Sequence, residues 1–240
     1  MRWTWYCSLP KSSMIKKYLK LKKEVTEASR AREVRQLMRL EVMIDVLFAL
    51  MIYKLFAFMP NPDVDGFSAN ELLHVLSSSY LNYSVITIGL ILVILYWGMN
   101  NLQFGNLERT DGWHATLSIL QVFTLMLYTY FVRLDIQFGN QLVLMQLQSL
   151  FLALAGVFAV GSWHYAMKKG LVSDDPTELE KDRMYIRLLN EPIVSLLTFP
   201  LAWFGPLIWT LGWLLLIPVG YISSVLQKRM KARKQKPSDN

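Results

Sequence analysis

Five long apolar blocks interrupt an otherwise polar and basic chain: residues 40–59, 81–102, 113–133, 141–166 and 192–226. About 20 residues of helix cross the hydrocarbon core of a bilayer, so each of the first four predicts one crossing. The fifth is too long for one ordinary crossing and is broken by Pro200, Gly205-Pro206 and Pro218. Proline interrupts helical hydrogen bonding and glycine permits a turn, so this block is either one kinked helix or a tight hairpin of two shorter ones. Ahead of the first block, residues 11–39 are highly charged, with Met14, Tyr18, Leu21, Val25 and Leu37 or Met38 at near-helical spacing. That pattern predicts a basic amphipathic helix on the membrane surface or projecting from it. The plainer alternative is a solvated helix that only sets topology.

Charge decides between kink and hairpin, because Lys and Arg concentrate in the cytoplasmic flanks of spanning helices. Eleven lie at or before Arg39, one (Arg109) between the second and third blocks, five between 167 and 191, and six after Leu226. With a cytoplasmic N-terminus and a terminal hairpin, all of these face one side. Of the 25 basic residues only Lys54 and Arg133 remain, towards the outer ends of their helices. The outer connections then carry Asp63, Asp65, Glu71 and Asp135, whereas a single last crossing would export the tail QKRMKARKQK. The expected architecture is an all-α polytopic membrane protein with six transmembrane helices per subunit and both termini cytoplasmic. It divides into a basic N-terminal helix over 1–38, a membrane domain over 39–226 and a basic tail over 227–240. In the first outer loop, Pro60, Pro62 and Gly66 favour turns, and Ser68 or Asn70 is placed to cap a short helix entered at Glu71.

Composition agrees: 53% of the residues are hydrophobic and 13% aromatic. The net charge of +7 lies in tails and loops rather than on one patch of a soluble fold, which argues for topology and against nucleic acid. The single cysteine, Cys7, excludes an intramolecular disulfide framework and a cysteine metal cluster. MRWTWYCSLP has no continuous apolar run, so the first long apolar segment is expected to be retained as a membrane helix. His74, His114 and His164 fall in three different segments, and neither a glycine-rich phosphate loop nor a GxSxG turn occurs. No enzyme, metal or cofactor is therefore expected. SDDPTELEKD, 173–182, reads as a solvated helix start with Asp174 or Asp175 as N-cap before Pro176. Ala153, Ala155, Gly156, Ala159 and Gly161 suit close helix packing.

The first block, RLEVMIDVLFALMIYKLFAF, carries Glu41, Asp45 and Lys54. An ionisable group at the centre of a spanning helix costs about 2.5–3.5 kcal/mol on insertion scales. Glu41 lies in the first turn and can stay hydrated. Asp45 is more than a turn deeper and needs donors. Arg39, Asn100, Asn101, Trp113 and His114 share its level, so a buried polar network joining the first three helices is expected, more for register than for ion contact. Leu50 follows Asp45 by five residues, with Tyr53 and Lys54 at the next turn of the same face. Several copies around an axis would make Leu50 an apolar ring, and a narrow ring gates by dewetting. The plainer alternative is helix packing, with Lys54 snorkelling to the outer interface.

RLEVMIDVLFALMI resembles the first-helix signature of the transmembrane protein 175 family, the lysosomal and bacterial potassium channels. That signature is Arg, three residues, then Phe-Ser-Asp and an apolar helix. Arg39 and Asp45 match its separation, with Phe48 and Ala49 following, while Met43 and Ile44 replace the Phe and Ser. YWGMNNLQF is similar to the family's Trp-x-x-His segment, with Trp97 matching and Asn100 in the His position. RTDGWH resembles the start of the next helix, whose Pro-Phe ending is Thr129-Tyr130 here. SWHYA, 162–166, is similar to the Trp-x-Tyr-Ala close of the fourth helix, and Glu191-Pro192 to Leu226 resembles the proline-marked final pair.

The resemblance runs from about 39 to 226. It implies a homotetramer in the bacterial inner (plasma) membrane, with a pore lined by the first helix and permeable to potassium ions. It places the constriction at Leu50 and a second pore position at Tyr53, with Arg39, Asp45, Trp97, Asn100 and His114 in the polar network. The competing expectation is a non-conducting scaffold of the same fold, whose basic tails bind anionic lipid headgroups or a partner. Lys54 and the replaced signature residues favour the scaffold; Arg39, Asp45, Leu50 and Trp97 favour the channel. A transporter is weaker, since no second deep ionisable residue offers a proton relay.

Overall fold

The charged segment and the first apolar block form one uninterrupted helix, α1 (Lys11–Ala57). Neither glycine nor proline occurs between Pro10 and Pro60, so nothing in the sequence breaks it. At about 1.5 Å per residue it is roughly 70 Å long, more than twice the roughly 30 Å hydrocarbon core. The basic extension therefore continues the spanning helix outwards instead of turning on to the surface. The computed structural model describes residues 11–59, 80–139, 141–173 and 178–234. The caps expected at Ser68 or Asn70 and at Asp174 or Asp175 lie outside them.

The next three apolar blocks form α2 (Tyr80–Gly105), α3 (Gly112–Phe138) and α4 (Leu142–Lys169). All three are long and apolar enough to span a membrane, as is the stretch Pro206–Arg229. α3 starts where the Asp111 side chain accepts the His114 amide at 2.9 Å, and it stops at Gly139, whose left-handed φ of 77° closes the last turn on to the Asp135 carbonyl. Asp135 itself is not in an outer connection. It lies in the last turn of α3, buried, where the Gln148 side chain donates to it at 3.0 Å.

The fifth block resolves as a hairpin. α5 (Glu178–Leu188) precedes α6 (Asn190–Leu201), and a 3-10 turn over Ala202–Phe204 leads to Gly205. Gly205 has φ 104° and ψ 167°, a conformation essentially reserved for glycine. Pro206 then opens α7 (Pro206–Gly212), where its missing N–H costs nothing. After a second 3-10 turn, α8 (Leu216–Lys234) packs back along α6 and reaches α5. The chain thus doubles back, giving six membrane helices among the described residues: the membrane half of α1, α2, α3, α4, α6 and the α7–α8 pair.

One end of the bundle is tied together by the chain connections. Arg30 and Glu33 of α1 pair with Glu108 and Arg109 in the α2–α3 link. That link also bonds the segment after α4, Glu108 N–H to Leu171 O and Ser173 N–H to Asn106 O, each at 2.9 Å. The extension of α1 and the end of α8 lie at this same end.

Between membrane helices there is no hydrophobic driving force, so close backbones and polar contacts hold the bundle. Ser149 on α4 shares a hydrogen bond with Thr198 of α6 at 3.1 Å and accepts the Trp209 indole of α7 at 2.9 Å, all three buried. Gln103 donates to Ser162 at 2.6 Å, and the Tyr96 hydroxyl to the Leu152 carbonyl at 2.9 Å, both from α2 to α4. The small residues Ala153, Ala155 and Ala159 of α4 are buried, and Gly156 lets Pro192 of α6 sit where a Cβ would be.

Candidate functional site

Leu37, Leu40, Ile44, Phe48, Met51 and Leu55 of α1 are buried against α2 and α3. Their spacing of three and four residues defines one helical stripe. At about 100° per residue, Arg39, Met43, Val46, Leu50 and Ala57 fall within about 60° of one line, roughly 130° round from that stripe. Tyr53 and Lys54 flank it. This second face is not covered by the rest of the subunit: Leu50 is 52% exposed and Tyr53 64% exposed. A shallow groove along it is lined by Met38, Arg39, Val42, Met43, Val46 and Leu47. The arrangement is a mostly apolar, outward-facing strip with a basic residue near each end.

Lys54 lies about 40° round from Leu50, on the side of α3. It shares a depression with Phe58, Arg133, Ile136 and Gln137, and the Arg133 guanidinium stands 6.0 Å from the Phe58 ring centroid. Lys54 and Arg133 therefore sit together at the end opposite the tied one.

Of the five residues expected to form the polar network, the structure brings two into hydrogen-bonding contact. The Trp97 indole N–H of α2 donates to Asp45 at 2.9 Å. Arg39 does not join them, for a geometric reason: six helical residues turn through about 240° net, leaving the two side chains about 120° apart. Arg39 instead rims the exposed groove and a second one with Arg32, Arg35 and Gln36. His114 is fully buried, but its Nδ1 pairs with Thr110 at 2.8 Å and its ring lies edge-on to Phe104. Asn100 is buried, and its amide bonds no side chain among the described residues. Glu41 is exposed, and Trp113 is 71% exposed.

The Trp97–Asp45 bond ties α1 to α2 and is worth about 1 kcal/mol in this setting. Trp97→Phe is expected to lower the thermal midpoint in detergent, and Asp45→Leu to do the same. In a double-mutant cycle the combined variant should be no less stable than the worse single one; additive losses would show that the bond is not the cause.

Sequence reading missed several of the contacts that join the helices. Asp111 accepts the Tyr165 hydroxyl at 2.6 Å as well as capping α3, and an Asp before Gly-Trp-His is a readable cap signal. The ion pairs of Arg30 and Glu33 have no such signal, because they join residues far apart in the chain. Among the described residues no group of three metal-ligating side chains occurs.

No family model and no curated protein matches the chain by sequence. Its fold does match solved structures. One is a homologue of the lysosomal potassium-selective channel TMEM175 from Chamaesiphon minutus, at TM-score 0.62 and 17% identity, with 79% of this chain and 98% of that one covered. Another is the potassium channel MtTMEM175, solved as a variant with a nanobody–MBP fusion protein, at TM-score 0.54 and 18% identity, covering 80% and 93% of the two chains. Both neighbours are ion channels rather than enzymes.

Proposed function

We propose that this chain, an integral membrane protein with the TMEM175 channel fold, is a subunit of a potassium-permeable cation channel, assembled as a homotetramer whose pore is lined by α1 and narrowed by Leu50, with Tyr53 beside it. The carrying observation is the outward strip on α1: Arg39, Met43, Val46 and Leu50 lie well round from the helix's own core face and are left open by the subunit. Four such strips around an axis form a lining, and Leu50 supplies an apolar ring suited to gating by dewetting. Trp97 and Asp45 hold the strip's orientation from the side. The end tied by Arg30, Glu33, Glu108 and Arg109 is the cytoplasmic one by its excess of basic residues, and a bacterial inner membrane suits that topology. There the basic segments meet anionic headgroups.

Lys54 favours the second reading, a non-conducting scaffold, only if it points to the axis. Its shared depression with Arg133 and Phe58 supports a place at the outer interface. The test is potassium efflux from liposomes loaded with the purified protein, with subunit number measured by mass. A tetramer that dissipates a potassium gradient, with Lys54→Gln conducting like the unaltered chain, is the expected result. A correctly assembled protein that is silent in both forms overturns the channel and leaves the scaffold.

A further inference from the structure

At the tied end of the bundle, between α2, α4 and α5, is a cavity of about 220 Å³. Its walls include Leu102, Trp163, Glu180, Lys181, Arg183 and Arg187. Two of these carry buried N–H donors without an acceptor among the described residues: Trp163 Nε1, on a side chain only 1% exposed, and Arg183 Nε. A buried donor left unpaired costs about 1–3 kcal/mol, so two in one cavity call for an acceptor. The volume far exceeds the ~10–15 Å³ that one bridging water needs. The charge on the walls selects the acceptor's sign, with three basic side chains against the single carboxylate of Glu180 among those named.

We infer that this cavity binds a phosphate group. A phosphate offers several acceptor oxygens and no obligatory donor, which suits an indole N–H and the fixed forks of two guanidinium groups. Leu102 and Trp163 supply apolar wall beside the basic one, so the group can be a phospholipid headgroup or free phosphate. The site stands apart from the exposed strip of α1 and does not depend on whether the chain conducts.

The experiment titrates the purified full chain in detergent, in separate arms, with inorganic phosphate against chloride at matched ionic strength and with phosphatidylglycerol. Thermal midpoint is the readout, and native mass spectrometry counts bound lipid. At least one arm should raise the midpoint, and Arg187→Gln should raise the half-saturating concentration about tenfold or more. Arg187 is exposed, so its replacement leaves the fold intact; Arg183→Gln should act in the same direction. Lys228→Gln, outside the cavity, should bind as the unaltered chain does. A response to phosphatidylglycerol alone identifies a lipid headgroup, and a response to inorganic phosphate identifies the free ion or a headgroup site open to it. No response in either arm overturns the inference, as does a response that Arg187→Gln leaves unchanged.

Discussion

Leu50→Ala is expected to raise potassium flux through the reconstituted protein about tenfold, equivalent to lowering the barrier by about 1.4 kcal/mol. The effect is large because an assembly repeats the substitution in every subunit. Each copy removes the branched end of a side chain that is 52% exposed on the open face of α1. A wider and less apolar ring stays wet, and the cation keeps more of its hydration shell. Leu50→Ile, nearly equal in volume, should leave flux close to that of the unaltered chain. Phe48→Ala removes more atoms from the same helix, but on the core face, where the side chain is fully buried; it should cost stability without the tenfold gain. Flux that rises at Phe48 and not at Leu50 would put the constriction on the wrong face.

Gly156→Leu is expected to give the largest loss of stability among single changes in the bundle. A Cβ at Gly156 would stand 2.7 Å from two carbons of Pro192 and 2.8 Å from a third. Those carbons belong to a short rigid ring near the start of α6, so relief requires α4 and α6 to separate. Overpacking costs about 1–3 kcal/mol, and here it also strains the neighbouring Ser149–Thr198–Trp209 contacts. A clear fall in thermal midpoint, or loss of the monodisperse species on size exclusion, is the expected readout. Gly161→Leu is the control, since a Cβ there meets nothing within 4 Å. Equal behaviour of the two variants would show that α4 and α6 do not meet at Pro192. At Gly212 a Cβ also meets an atom at 2.7 Å, but that atom is the tip of the flexible Leu201 side chain, so Gly212→Ala should be milder.

The membrane architecture was legible because it is written in local signals. α2, α3 and α4 follow apolar blocks whose length alone identifies them, and the final hairpin follows from Gly205-Pro206 together with the basic tail. What the sequence conceals is which helices become neighbours. Asp135 reads as a loop acid because it closes an apolar block; only the folded bundle shows Gln148 of α4 facing it. Ser149, Thr198 and Trp209 lie too far apart in sequence to be linked by any spacing rule, and their cluster exists only once α6 folds back on α4. The site is intermediate. The open face of α1 can be read from the helical period once the opposite stripe is known to be core. Asp45 plainly needs a donor, yet none of the five residues read at its level supplies it; Trp97 enters only through the resemblance, and the rotation of α2 brings it to Asp45. The continuity of α1 was present in the sequence as the absence of Gly and Pro from 11 to 59; the switch from charged to apolar residues invites a boundary that the backbone does not have.

That continuity gives α1 a single angular coordinate. With no glycine or proline at which to absorb twist, a turn imposed on the basic extension is delivered to the membrane half of the same rod. The two side chains at issue there are four residues apart, about 40° in azimuth. A torsion of that size, in one sense, brings Lys54 to the bearing Leu50 had held, and in the proposed tetramer it would replace an apolar collar with a ring of positive charge. The Arg30–Glu108 and Glu33–Arg109 pairs grip the rod on its basic extension and so fix the azimuth at which it stands.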